Sequence, residues 1–432
     1  MPSENSIQVD RRRFLKRSVA AGSTLAALSA SPLSYSAHSG VDETLRVGLV
    51  GCGGRGRGAA IDALTADKST KLVAVGDAFL DRAKSGLAAI EFDDAIADRV
   101  LVDDDHIFDG FDAFKKVIDS GVDVVLLATP PHFRPQHLAY AVDAGKHVFV
   151  EKPISVDMPG AERIAAACQM ASEKRLSIVS GLCWRYDLGV RETMRRIQDG
   201  AIGDIVAIES NYNSGTLWHR GDKPEWSRME YQLRNWLYYT WLSGDIIAEQ
   251  AIHSLDKTAW LLGDASPTKA MAMGGRQQRT DPKYGHVWDH FTVFYEYEAG
   301  PSVYFTCRQQ DGCTTNVDET VHGTKGKAEV LAHRIRPNGK TEWRYEGEKP
   351  SMYLNEQVEF FASIRSGTPI NDGQYMVNST RIAHLGRMAA YSGQTLRWED
   401  AIADERSLGP DVYAWTDVPE PPVAIPGVEV TA

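Results

Sequence analysis

From residue 46 onward the chain alternates short, continuous apolar runs with longer stretches in which apolar positions recur every three to four residues. The runs Arg46-Val47-Gly48-Leu49-Val50, Lys71-Leu72-Val73-Ala74-Val75-Gly76, 122–128 and His147-Val148-Phe149-Val150 are rich in Val and Leu. Their length and composition suit strands buried on both faces of a parallel sheet. Helices are expected over 57–66, 134–144 and 158–174, with a closing strand over 176–180. Strand, helix, strand in this rhythm predicts an α/β domain with a doubly wound parallel sheet.

The pattern changes near residue 184. Strand composition appears over 205–212, 268–274, 290–298, 302–309 and 319–331, with the turn Ala299-Gly300-Pro301 joining the third and fourth. Helices are expected at 190–199, 246–262, 356–366 and 377–392. Beyond Trp398 the chain is rich in Pro and Val and reads as an extended arm. The expected organisation is a leader (1–40), an α/β domain (41–183), an α+β domain (184–398) and the arm (399–432).

Composition narrows the partners. A net charge of −11 over 432 residues argues against a nucleic-acid partner, since binding a phosphate backbone rests on clustered Lys and Arg. No apolar run reaches the roughly 20 residues that cross a bilayer, so no membrane partner is expected once the leader is removed. The five cysteines (52, 168, 183, 307 and 313) are scattered. Cys307 and Cys313 are close enough to pair across a short loop, but no metal spacing is visible and no metal is expected. Asp10-Arg11-Arg12-Arg13-Phe14-Leu15-Lys16 resembles the twin-arginine export pattern, followed by an Ala- and Ser-rich apolar stretch and small residues near 34–37. Such a leader implies a periplasmic or otherwise extracytoplasmic protein, exported after folding with its cofactor in place.

The first apolar run feeds Gly51-Cys52-Gly53-Gly54-Arg55-Gly56. Gly51 permits a tight turn, Gly53 lets backbone approach a pyrophosphate, and Gly56 allows close helix–strand packing, the arrangement of a Rossmann dinucleotide site. The following helix aims free N–H groups at the phosphates. Asp77, at the end of the second run, suits the adenosine ribose hydroxyls and repels a 2′-phosphate, which favours NAD over NADP; nearby Arg82 leaves NADP as the lesser expectation. Thr129-Pro130 and Glu151-Lys152-Pro153 fall at later strand ends, on the edge where such sheets bind ligands.

Together the glycine turn, Asp77, Thr129-Pro130, Ala144-Gly145-Lys146-His147 and Glu151-Lys152-Pro153 resemble the Gfo/Idh/MocA oxidoreductases over about residues 45–398. The resemblance implies a second domain built on an open, mostly antiparallel sheet that binds substrate and contacts further copies in a homo-oligomer. It implies cofactor contacts from Gly51, Gly53, Gly54, Arg55, Gly56, Asp77, Thr129, Pro130, His137, Glu151 and Lys152. It also implies that Lys152 lies between nicotinamide and substrate and that a later helix presents a D-x-x-x-H pair. Here that segment carries Glu249 in the aspartate position and His253 four residues on, a spacing that places both on one helical face. His253 is then the acid–base catalyst, Lys152 stabilises an alkoxide, and Glu249 orients His253 or binds substrate.

Arg185 matches a position where relatives place a polar active-site residue. The aromatic stretch Trp218, Trp226, Tyr231, Trp236, Tyr238, Tyr239 and Trp241 offers sugar-stacking rings, with Trp236 favoured. His286, Trp288, Asp289 and His290 read as a loop rim. The expected activity is hydride transfer between bound NAD(P) and a hydroxyl of a sugar, polyol or sugar acid. A competing expectation is an NAD-dependent glycoside hydrolase that oxidises a ring hydroxyl transiently, and a third is a non-catalytic sensor.

Overall fold

The computed structural model describes residues 43–428 other than residue 299; the leader expected over 1–40 lies outside the described residues. The early apolar runs become strands β1 (Leu45–Val50), β2 (Thr70–Asp77), β3 (Ile107–Asp109), β4 (Val124–Leu127), β5 (His147–Val150) and β6 (Ile178–Ser180). They form one sheet in the order β3-β2-β1-β4-β5-β6, with every pairing parallel. Burial explains the continuous runs: β4 is buried at all four positions, with helices covering both faces. The strand order reverses between β1 and β4, so a crevice opens at their carboxyl ends.

The second sheet contains β7 (Ile205–Ser214), β8 (Lys269–Gly275), β9 (His290–Glu296), β10 (Ser302–Gln309), β11 (Asn316–Gly323), β12 (Gly326–Glu329), β13 (Arg334–Pro337), β14 (Trp343–Arg344) and β15 (Leu396–Arg397). Its order is β14-β13-β12-β11-β7-β10-β9-β8-β15. Only β7 and β10 run parallel; the remaining pairs are antiparallel. Period-two alternation holds here, since Val303, Phe305 and Cys307 are buried while Ser302 and Tyr304 are exposed. The buried face packs against helices Ile252–Leu261 and Gly373–Ser392.

Several expectations change. The single strand expected over 319–331 is the hairpin β11–β12, because Gly323 and Gly326 bracket a two-residue turn. Helices Leu80–Glu91, Ala113–Asp119 and Arg228–Arg234 and strands β3, β13 and β14 were not anticipated; all but the first are short, and the first does carry a periodic face of Ala83, Gly86, Leu87 and Ile90. The late helix Met352–Ser366 returns to the first domain and packs on Gly54–Ala66, so the linear division at residue 184 does not follow the packing. All five cysteines are free, four of them buried.

Candidate active site

Backbone sterics build the cleft floor. Gly51 sits at φ +97°, and a Cβ there would meet the Ala128 carbonyl carbon at 2.6 Å. A Cβ on Gly56 would lie 1.8 Å from the Gly51 oxygen, so no other residue lets the helix approach the strand. Gly53 differs: the nearest atom to its Cβ position is Arg82 Nη1, at 3.8 Å, so the absent side chain leaves open space over the turn. The helix begins at Gly54, three residues earlier than expected, which places its free N–H groups inside the glycine turn.

The remaining walls come from the other strand ends. Asp77 closes β2, and its carboxylate accepts hydrogen bonds from the Cys52 N–H (2.8 Å) and the Phe79 N–H (3.2 Å). Burial raises its pKa against those bonds. Thr129 and Pro130 follow β4, and Thr129 Oγ1 lies 3.2 Å from His137 Nδ1. His137 stacks on Phe114 at 4.0 Å, and burial pushes its pKa down to about 3, so the ring is neutral. Gly51, Gly53, Asp77, Thr129, Pro130 and His137 all line one cleft. Arg82, expected near the ribose site, lines it too, and so do Phe79, Phe111 and Phe133, which were not anticipated. Their signal was weak: Phe79 follows Asp77 by two residues, and Phe111 follows a three-residue strand.

Arg55 and Glu151 turn away from the cleft toward each other. Arg55 Nε donates to Glu151 Oε1 (2.5 Å), Nη2 donates to Glu356 Oε1 (2.7 Å), and the guanidinium lies 4.8 Å from the Tyr353 ring centroid. With its carboxylate so engaged and 5% exposed, Glu151 braces the glycine turn against β5 rather than presenting a cofactor ligand. Arg134, also unanticipated, donates from Nη1 to the Pro153 carbonyl at 2.5 Å and pins the Glu151-Lys152-Pro153 turn.

Lys152 points the other way. Its Nζ donates to the Glu249 backbone oxygen (2.5 Å) and lies 3.6 Å from Glu249 Oε1. The helix expected over 246–262 is interrupted: Ile246–Glu249 and Ile252–Leu261 are separate, and the Ala251 N–H bonds five residues back to the Ile246 oxygen. That wide turn, a geometry frequent at functional sites, shifts Glu249 relative to His253. Among the described residues no hydrogen bond joins the two side chains, so Glu249 engages Lys152 and does not orient His253. Glu249 Oε2 and His253 Nδ1 are buried without partners. Burial, then the charges of Lys152, Lys257 and Arg55, hold the His253 pKa well below the ordinary imidazole value. Lys257 faces Glu319 at 3.3 Å, both fully buried, and burial pushes Glu319 up to about 7.

Two expected substrate contacts move. Arg185 is bound by Asp256 (2.9 Å) and Asp264 (2.5 Å), and its guanidinium lies 3.9 Å from the Tyr375 ring centroid. Its donors are spent on this pairing, so it fastens the start of the second domain to helix Ile252–Leu261. Trp236 lines the dinucleotide cleft beside Asp77 and Phe79, which removes it from the substrate side. In the 286–290 cluster, Asp289 accepts from three consecutive backbone N–H groups and from His290. That makes it a loop anchor. Among the described residues no group of three metal-ligating side chains converges.

A parallel sheet with this strand order, a sterically enforced glycine turn and a cleft-lining carboxylate at the end of the second strand define a dinucleotide-binding fold. The chain belongs to the Gfo/Idh/MocA family: residues 45–178 match its NAD-binding Rossmann fold and residues 190–329 match a GFO/IDH/MocA C-terminal domain. It is 28% identical to inositol 2-dehydrogenase of Rhizobium meliloti over 348 residues, covering 76% of this chain and 93% of that one. It is 26% identical to 2,7-anhydro-N-acetylneuraminate hydratase of Escherichia coli, over 51% of this chain and 55% of the relative. The chain thus spans about half the length of that relative and 65% of inositol 2-dehydrogenase 3 of Saccharopolyspora erythraea. The fold matches scyllo-inositol dehydrogenase of Lactobacillus casei, solved with NAD(H) and scyllo-inositol (TM-score 0.63, 20% identity, 83% of this chain and 100% of that one). It also matches aldose–aldose oxidoreductase of Caulobacter crescentus (TM-score 0.63, 20% identity, 82% and 99%).

Proposed function

We propose that the protein transfers a hydride between NAD and a secondary hydroxyl of a sugar, polyol or sugar acid, keeping the cofactor bound between turnovers. One observation carries this: Lys152 pairs with Glu249, its charge bears on the buried His253, and Glu249 Oε2 and His253 Nδ1 are buried without partners. NAD held in the cleft would supply the hydride acceptor and donor. The chain supplies the rest. A neutral His253 takes the hydroxyl proton in the oxidising direction and returns it in the other, and the Lys152 cation stabilises the developing alkoxide. Glu249 holds Lys152 and offers Oε2 to a neighbouring hydroxyl. The open space over Gly53, the helix start at Gly54 and the inward-facing Asp77 fit a pyrophosphate and an unphosphorylated ribose, favouring NAD over NADP.

Export by the twin-arginine route belongs to the same proposal and rests on residues 10–16. Outside the cytoplasm no free NAD pool restores the enzyme, so oxidation of one substrate is matched by reduction of another. A homo-oligomer is supported by the outer face of the second sheet. There Met271, Phe294 and Tyr304 lie in one cross-strand row, with Met273 (57% exposed) beside them and Val206 (54%) on β7.

Purified protein incubated with panels of free sugars, polyols and aryl glycosides tests the reading. Reduced nicotinamide, or a paired oxidised and reduced product, is expected with free sugars. Aglycone release without either product would replace the dehydrogenase by a transient-oxidation hydrolase. Arg11→Lys with Arg12→Lys is expected to leave the protein in the cytoplasm on cell fractionation; unchanged export removes that part of the proposal.

A further inference from the structure

Phe79, Phe111 and Phe133 line the dinucleotide cleft, and their other sides are covered by a segment far along the chain. Trp415 stacks on Phe111 at 4.5 Å between centroids and lies 5.3 Å from Phe79. Tyr413 stacks on Phe111 and tilts against Phe133, each at 5.5 Å, and its hydroxyl shares a 2.7 Å hydrogen bond with His132 Nε2. The segment is anchored at both ends. The Leu408 N–H donates to the Asp157 carboxylate (2.8 Å), the Arg228 N–H to the Asp417 carboxylate (3.2 Å), and the Met229 N–H to the Thr416 oxygen (3.2 Å).

Phe79 is held from a second direction as well. The Arg234 guanidinium lies 3.9 Å from its ring centroid and makes two 3.1 Å hydrogen bonds to Asp81. Because the Phe79 N–H donates to Asp77, the loop that presents this cleft-lining carboxylate is gripped between Arg234 and Trp415. Residues 408–418 lie outside both family-matched regions, whereas the wall they cover lies inside them.

We propose that Tyr413 and Trp415 are positioning residues for the cofactor: they hold the aromatic wall closed on the adenosine half of NAD and set the rate at which it leaves. This rests on the NAD reading above and adds a site of control to it. The segment touches the wall and not Lys152, Glu249 or His253, so its loss changes nucleotide affinity and release and leaves the chemical step alone.

The test uses the full chain with Trp415→Ala, Trp415→Phe and Tyr413→Phe. The readouts are NADH release chased by excess NAD, the KM for NAD, and kcat at saturating NAD. Trp415→Ala is expected to speed release and raise KM by about tenfold each, with kcat unchanged and Trp415→Phe close to wild type. Tyr413→Phe, which removes only the hydroxyl bonded to His132, is expected to speed release by about threefold and decides the matter if Trp415→Ala does not fold. Wild-type release and KM in both Trp415→Ala and Tyr413→Phe overturn the inference, as does a fall in kcat with KM unchanged. A wild-type protein that binds neither NAD nor NADH overturns the cofactor reading instead.

Discussion

Two polar networks flank the Glu151-Lys152 step, and they differ in how far they are satisfied. On the Glu151 side, Arg55 meets Glu151, Glu356 and, at 3.6 Å, Asp62, with the ring of Tyr353 beside it, and only Glu356 Oε2 is left buried without a partner. On the Lys152 side, Glu249 Oε2 and His253 Nδ1 have no partner despite burial. A buried polar group without a partner costs about 1–3 kcal/mol. The Arg55 network, tied by three ion pairs, therefore contributes rigidity, and the Lys152 side leaves a carboxylate oxygen and an imidazole nitrogen open to a ligand. One peptide bond separates the residue that braces the glycine turn from the lysine proposed to act on substrate.

The sharpest way to break this contrast is Arg55→Ala. It strands Glu356, which is fully buried, and is expected to lower stability by about 3 kcal/mol, the low end for removing one partner of a buried pair because Arg55 is itself 31% exposed. Urea unfolding reads it; an unchanged midpoint would mean that the network is not stabilising. Lys152→Ala should do the reverse. Turnover is expected to fall by about 10²–10³-fold with nucleotide content and unfolding midpoint near wild type, and normal turnover removes Lys152 from the chemistry. Glu249→Gln leaves the backbone oxygen that holds Lys152 in place, so a loss of only about tenfold in kcat/KM is expected.

The smallest effect is on pH dependence. A base whose pKa is lowered stays neutral down to more acidic solution, so kcat/KM for oxidation should remain flat from pH 8 to below about 6.5 before its acid limb appears. Lys257→Met removes one of the charges that disfavour the imidazolium, and the limb should move toward higher pH. A limb at or above 6.5 in the wild type, or one that Lys257→Met leaves in place, would show that His253 is not the titrating base.

The cofactor half was legible because its requirements are local. Gly51 and Gly56 are forced by atoms less than 3 Å from where a side chain would begin, and a turn that tight leaves its spacing in the sequence. Asp77 follows from strand length alone. The other half depends on tertiary partners that no spacing reports. Arg185 looked like a cleft residue until Asp256 and Asp264, 71 and 79 residues away, claimed its guanidinium. Trp236 was assigned to sugar because it precedes the catalytic segment, yet the chain turns at Tyr239 to Gly244 and leaves it beside Asp77. The break at Gln250–Ala251 hides inside an unbroken apolar pattern, since the periodicity of Ile246 to Leu261 is that of one helix. The arm was recognised only as extended, because aromatic residues spaced two apart say nothing of the rings they will meet.

Tyr413 and its partner His132 stand 281 residues apart along the chain. At a synthesis rate of roughly 5–20 residues per second, the ribosome delivers the second about 15–60 seconds after the first. Throughout that interval the glycine turn and its strands can already be assembled with the aromatic wall bare on its outer side. Order of synthesis thus gives the nucleotide an open door early and closes it late, without any separate gating machinery.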